Sequence, residues 1–329
     1  MKALVTGATG FIGSAVARNL CACGWSVRVL VRPNSDRAAL AGLEVEFAVG
    51  DMTDPDSLHA ATEGCDALFH VAADYRLWVP DPDVMHRVNV EGTRVLMQSA
   101  LDHGIKRIVY TSSVATLDAR SDGGVVDETA LAPLEHMVGE YKRSKWRAER
   151  IVTDWITARQ LPAVVVNPSA PVGPGDRKPT PTGRMVVDAA RGRMPAYVDT
   201  GLNIVHVDDV AEGHRLAFEH GDIGERYILG SENLTLEQII DEIAGYAEVR
   251  GTRFRLPHNA VLPMAYAAEA WARISGREPA FTVDGVRMSR NKMFFTSSKA
   301  RGALGYAPRP AREALRNAVD WFRQHGYLQ

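Results

Sequence analysis

The sequence predicts an α/β fold: a doubly wound parallel sheet followed by a smaller, mostly helical C-terminal lobe for the substrate. Three observations point there. Short, continuous apolar runs alternate with helical patterns through the first half of the chain, as expected of a parallel sheet covered on both faces. A glycine-rich turn, GATGFIG, joins the first apolar run to the first helical one. After Pro168 the pattern breaks into a loop dense in Pro and Gly, and a helical tail begins near residue 233.

Taken in order, KALVT opens the sheet, and VRVLVR (27–32), EVEFAVGD (44–51), DALFHVAA (66–73), RIVYTSS (107–113) and AVVVNP (163–168) are the next five strands. Right-handed crossovers should connect them. PSAPVGPGDRKPTPTGR must be mostly loop, and connections of that length are often functional. NIVHV and RYILG read as strands around a helix, so the chain is expected back at the sheet over about 203–232. The division is therefore 1–168, rejoined at about 203–232, with a substrate lobe made of 169–202 and 233–329. Within that tail, AVLPMAYAAEAWARI (260–274) is an Ala-rich helix, read as packing against the lobe rather than reaching lipid.

Bulk properties narrow the class. The 329 residues are enough to bury a sizeable core, with 46% hydrophobic and 24% charged residues. Lys plus Arg number 38 against 40 for Asp plus Glu, a formal charge of -2, so neither nucleic acid nor an anionic membrane is indicated as a partner. Three cysteines, Cys21, Cys23 and Cys65, show no metal-ligand spacing. His206, Asp208 and Asp209 in HVDD read as a strand end and helix N-cap, so no metal is expected. No apolar run approaches the roughly 20 residues that span a bilayer. Met1 and Lys2 lead straight into a strand, so a reduced cytoplasmic setting is expected.

The glycines in GATGFIG sit where a dinucleotide needs them. Gly7 lets the chain turn, Gly10 lets backbone approach a pyrophosphate, and Gly13 lets helix and sheet pack closely. Phosphate would meet the open N–H groups of the helix start, with Thr9, Phe11 and Ile12 as further contacts. The second strand ends in Arg32 where an acid would grip the ribose of NAD, so NADP(H) is favoured over NAD(H). Asp51 and Met52 are candidate adenine contacts. Ala72 and Ala73 are small residues beneath the ribose, and Pro168 closes the cofactor set.

Hydroxyls at the end of the fifth strand, Ser112 and Ser113, open into the same crevice. In GEYKRSKW, Tyr141 and Lys145 stand four residues apart, on one helix face. A cation near a phenol favours phenolate, and a tuned phenol can pass a proton while hydride moves. Lys145 could also bond the nicotinamide ribose; Lys142 and Arg143 read as solvated.

GATGFIG, VGD, HVAAD, NVEGT, YTSS and YKRSK, in this order, resemble the extended short-chain dehydrogenase/reductase (NAD-dependent epimerase/dehydratase) family over nearly the whole chain. The resemblance implies a Rossmann fold, Tyr141 as acid/base, Lys145 as its pKa modulator and Ser113 as substrate-oxygen donor, with Ser112 as fallback. Asn89 would support the site from the central helix, and a homodimer is expected by analogy. Within the family, HVAADYRLWVPDP and MVGEYKRSKW resemble hopanoid-associated sugar epimerases, and dihydroflavonol 4-reductase-like proteins are next. That implies hydride transfer at a secondary alcohol or ketone of a sugar, polyol or ketone, lipid-linked substrates included. The alternatives are an NADPH-dependent ketone reductase and a non-catalytic NADP(H) sensor. Ala170 stands where sugar-nucleotide enzymes carry an Asn, which favours the reductase branch. Tyr75, Trp78, Tyr197 and Asn203 are the candidate substrate contacts.

Overall fold

A computed structural model describes residues 1–329 except 77–80, 121, 253, 277, 278 and 280. β1 (Lys2–Thr6) runs through the glycine turn into α1 (Phe11–Ala22), and β2 (Ser26–Val31) and β3 (Val45–Val49) follow. α2 (Pro55–Thr62) leads to β4 (Ala67–His70). α3 (Pro82–His86) continues through a π-helical turn, Arg87–Glu91, into α4 (Gly92–Asp102). β5 (Arg107–Thr111), α5 (Gly139–Arg159) and β6 (Ala163–Pro168) complete this half. Next come β7 (Ala170–Val172), α6 (Pro181–Ala190), β8 (Tyr197–Val198), β9 (Gly201–His206), α7 (Val207–His220) and β10 (Arg226–Leu229). The tail holds β11 (Glu232–Thr235), α8 (Leu236–Ala247), β12 (Arg255–Leu256), α9 (His258–Ser275), α10 (Val283–Met288), α11 (Ser298–Leu304) and α12 (Ala311–Gln324).

The central sheet has seven parallel strands in the order β10-β6-β5-β4-β1-β2-β3. The order reverses between β1 and β4, whose carboxyl ends therefore open a crevice for a ligand. Both faces of the sheet are covered, which is why β4 and β6 are buried at every position and read as apolar runs up to His70 and Asn167, the polar residues near their carboxyl ends. One core joins the sheet to α1 and α7, the other to α2, α4 and α5. Each fully buried Val of β6 contributes about 1.5–3 kcal/mol over the exposed state.

Two expectations are corrected here, and a third is refined: the Ala-rich helix packs within the lobe as expected, but through few residues. β9 does not rejoin the central sheet; it pairs with β7 and β11 in a separate three-stranded sheet, because β10 already takes the place beside β6. The cap of α7 is His206, whose Nδ1 accepts the Asp208 N–H at 3.1 Å. Asp209 instead accepts from the Arg309 backbone N–H and guanidinium. α9 packs on α10 through a narrow strip, and of its residues only Ala265 and Ala272 are buried.

Candidate active site

At the crevice, backbone geometry dictates the residues. Gly7 has φ +72°, and a Cβ there would stand 2.7 Å from the Ala72 nitrogen. A Cβ on Gly13 would run into the Gly7 carbonyl oxygen, so only glycine lets α1 pack this close to the turn. α1 starts at Gly10 with no side-chain cap and no acid in its first turn. Its first N–H groups thus face the cleft without an intrahelical acceptor, a cradle suited to a diphosphate. Arg32, Ser35, Asp51 and Met52 line the same end, and Arg32 is exposed. These features fit a dinucleotide.

The cleft has a volume of about 830 Å³ and runs from that turn to Ser113, Tyr141 and Lys145. Ser113 caps a short turn after β5, its Oγ accepting the Ala115 N–H at 3.1 Å. Burial raises the Tyr141 phenol above its ordinary value, and the Ser113 side chain pulls it partly back. The depression expected from Lys145 is not what the structure has. Lys145 is buried, donates to the Thr111 carbonyl at 2.7 Å and lies 3.5 Å from the Tyr110 hydroxyl. Desolvation lowers its pKa to about 8, with Glu149 opposing.

Three hydrogen-bonded groups hold these side chains. Asn89 accepts the Asp74 N–H at 2.7 Å and donates to the Asp74 carbonyl and to Ser144, one residue from Lys145. Its own helix is tied to β1 by His70, which bonds Thr93 at 2.9 Å and Thr6 at 2.8 Å. The Thr93 hydroxyl donates to the Asn89 carbonyl, so His70 must donate from Nε2 and accept at Nδ1. Burial holds His70 at about 3, so it stays neutral. Thr111 is fixed by His214, whose Nδ1 donates to the Val210 carbonyl at 2.7 Å and whose Nε2 accepts from the threonine.

The third group centres on Glu149, two helical turns beyond Tyr141. Its carboxylate accepts from Ser112, from Thr116 at 3.0 Å and from Asn167 at 3.3 Å, and pairs with Arg226 at 2.7 Å. One buried acid on α5 thus ties down β5, the Ser113 turn, β6 and β10. Sequence reading missed it because its partners are scattered across 115 positions of chain. A buried Glu eight residues after Tyr141 has no local signature.

Among the sequence-predicted residues, Gly7, Thr9, Gly10, Phe11, Ile12, Gly13, Arg32, Asp51, Met52, Ala72, Ala73, Tyr75, Ser112, Ser113, Tyr141, Lys145, Pro168 and Asn203 line the cleft. Asn89 does not; it stands behind the cleft wall. Tyr197 is also elsewhere: β8 pairs with β12, and its hydroxyl donates to Glu237 at 2.6 Å. Trp78 lies outside the described residues. Lys142, expected in solvent, is half-buried and lines the cleft, and desolvation lowers its pKa. Arg143 is exposed and pairs with Glu140. The far end was not anticipated: Val84, Val88, Leu202, Met288, Met293 and Phe295 give it an apolar wall.

Residues 3–230 match the NAD dependent epimerase/dehydratase family. A Synechocystis sp. protein, whose name places it provisionally among the dihydroflavonol 4-reductases, is 43% identical over 331 aligned positions, 99% of this chain and 95% of that one. The sterol demethylase protein B of Methylococcus capsulatus is 36% identical over 333 positions, covering 100% of both. The crystal structure of gox2253 matches with a TM-score of 0.90 and 55% identity over 99% of each chain.

Proposed function

This chain belongs to the NAD-dependent epimerase/dehydratase family, and from that premise we propose that it reduces the ketone of an apolar substrate with NADP(H), Tyr141 donating the proton. One observation carries the reading: Ser113, Tyr141 and Lys145 share the wall of a cleft whose other end is the glycine turn and uncapped helix. Bound there, a nicotinamide supplies the hydride. Ser113 Oγ, already accepting from Ala115, keeps its own proton for the substrate oxygen. The phenol of Tyr141, whose proton burial holds more tightly than usual, gives that proton to the oxygen as the carbonyl carbon gains hydride. Lys145, anchored on Thr111, supplies positive charge beneath the developing alkoxide.

Asn203, Thr180 and Thr182, polar residues in the cleft wall, are committed to the protein. The Asn203 amide serves Asn233, the Phe295 carbonyl and the Ser231 N–H. Ala170 offers no hydrogen bond, and the Met and Phe wall favours hydrocarbon. A relative named for sterol demethylation supports that substrate class. The test is NADPH oxidation, followed by absorbance, with cyclic apolar ketones and with sugar nucleotides. Turnover of the ketones alone is expected; turnover of sugar nucleotides alone would overturn the substrate assignment.

Arg32 is the group proposed to select NADP(H). Arg32→Glu should lower kcat/KM for NADPH by roughly 10- to 100-fold, as a charge-assisted phosphate contact is worth about 1.5–3 kcal/mol, and leave NADH less affected. Equal losses with both cofactors would contradict the assignment.

Lys145 sets a pH dependence. Its folded pKa of about 8 lies below the ordinary 10.5, so the fold carries an ammonium penalty below about 8 that is relieved as pH rises toward 10.5. Activity runs the other way. kcat/KM for reduction should fall as pH rises through about 8, while this group's contribution to stability increases. His70 at about 3 and His214 at about 4 stay neutral in the folded protein and should add no step to the rate near neutrality. An unfolded histidine takes up a proton near ~6.5, so both withdraw stability as pH falls below about 6.5. Parallel pH scans of rate and thermal midpoint check both signs.

A further inference from the structure

Helix α9 is built the wrong way round for a helix in water. Val261, Leu262 and Ala265 pack on Val283 and Val286 of α10. The one acid of the helix, Glu269, turns inward, accepting the Val283 N–H at 2.7 Å. At 3.6 residues per turn the opposite face holds Met264, Tyr266, Ala267, Ala270, Trp271 and Ile274. These are exposed, Trp271 to 66% and Ile274 to 79%. Surface helices show the reverse pattern, and a contiguous exposed apolar face marks an interaction site.

Charge on the flank of that face indicates its occupant. Arg287 donates to the Tyr266 hydroxyl at 2.9 Å, and Arg290 to Asn259 at 3.0 Å. Arg273 stands exposed in the last turn. Among the described residues no carboxylate stands on the outward face of α9, and the acid nearest this arginine row, Asp284 of α10, lies 3.9 Å from Arg287. An apolar face with Trp and a row of arginines beside it is the composition of a helix lying in an anionic lipid surface. A second copy would bury the same hydrocarbon but bring no acid on that face to the arginines. Among the described residues no helix is long and apolar enough to cross a membrane, so α9 could only lie in its surface. The formal charge of -2 is a sum over the whole chain and hides this local patch.

We propose that α9 docks this protein on an anionic bilayer surface, apolar face inward. α10, packed beneath it, ends at Met288 in the cleft wall. Docking therefore brings the substrate end of the cleft near the bilayer, where an apolar ketone would be dissolved. This last consequence rests on the proposed substrate class; the docking does not.

Flotation with phosphatidylcholine vesicles, with and without phosphatidylglycerol, tests it on the intact protein. The protein should float with the anionic vesicles and much less with the neutral ones. Trp271→Ser combined with Ile274→Ser should reduce bound protein about tenfold or more, and Arg273→Glu by a similar factor that shrinks in high salt. Cofactor binding and thermal midpoint of both variants should match the parent, since these side chains are exposed. Failure of the parent to float, or flotation indifferent to both variants, would overturn docking through α9. Self-association that the double variant abolishes, without flotation, would assign the face to a second copy and equally overturn it. Flotation together with sugar-nucleotide turnover would leave docking standing and sink only the substrate class.

Discussion

Tyr141→Phe is expected to lower kcat for ketone reduction by roughly 100- to 10,000-fold while NADPH still binds within a few-fold of the parent affinity. The substitution removes one oxygen and keeps the ring, so the packing of α5 is preserved. What disappears is the proton that the substrate oxygen needs as hydride reaches its carbon. Without it an alkoxide forms in a site where burial makes charge costly, as the raised phenol and lowered ammonium show. Ser113 can still hold the oxygen, so binding should survive. Stopped-flow turnover alongside a cofactor titration separates the two effects. A variant retaining near-parent kcat would show that Tyr141 is not the acid.

Glu149→Ala should cost about 3–5 kcal/mol of stability, because it strands the Arg226 guanidinium, 16% exposed, without its partner. It also releases Ser112 and Thr116, which bracket Ser113, so kcat should fall with it. The same logic predicts a rescue. Replacing both partners with apolar residues, Glu149→Met and Arg226→Met, should recover part of the stability, since no buried charge is left unpaired while the buried Ser112 hydroxyl still lacks its acceptor. It should not recover kcat, because the hydroxyls that Glu149 orders remain released. Chemical denaturation of the single and double variants measures the first, and turnover the second. Recovery of both would reduce Glu149 to a stability element with no part in positioning Ser113.

How far the sequence alone reaches is instructive at particular residues. GATGFIG was legible because glycine is the only residue that meets its backbone demands, and those demands are local. The alternation of apolar runs disclosed the sheet for the same reason. Four-residue spacing correctly put Tyr141 and Lys145 on one face, yet not what the lysine bonds. Its acceptor is the Thr111 carbonyl, 34 residues earlier. Tyr197 was misplaced because its position depends on β12, nearly sixty residues later, pairing with β8. α9 reads as an Ala-rich apolar helix packed on the lobe; only the seat of α10 decides which of its faces is covered. Lys142 was assigned to solvent from its charge, although its helix face turns it into the cleft. Local backbone chemistry was readable, and long-range pairing was not.

The central claim concerns where hydride is handed over, and a crystal structure with NADP(H) bound tests it most directly. Nicotinamide C4 should lie beside the space shared by Ser113 Oγ and Tyr141 Oη, with about 3–3.5 Å left for a reacting carbon. The adenosine 2′-phosphate should sit against Arg32. A nicotinamide ring lodged away from Tyr141, or a diphosphate bound anywhere but the start of α1, would contradict the account.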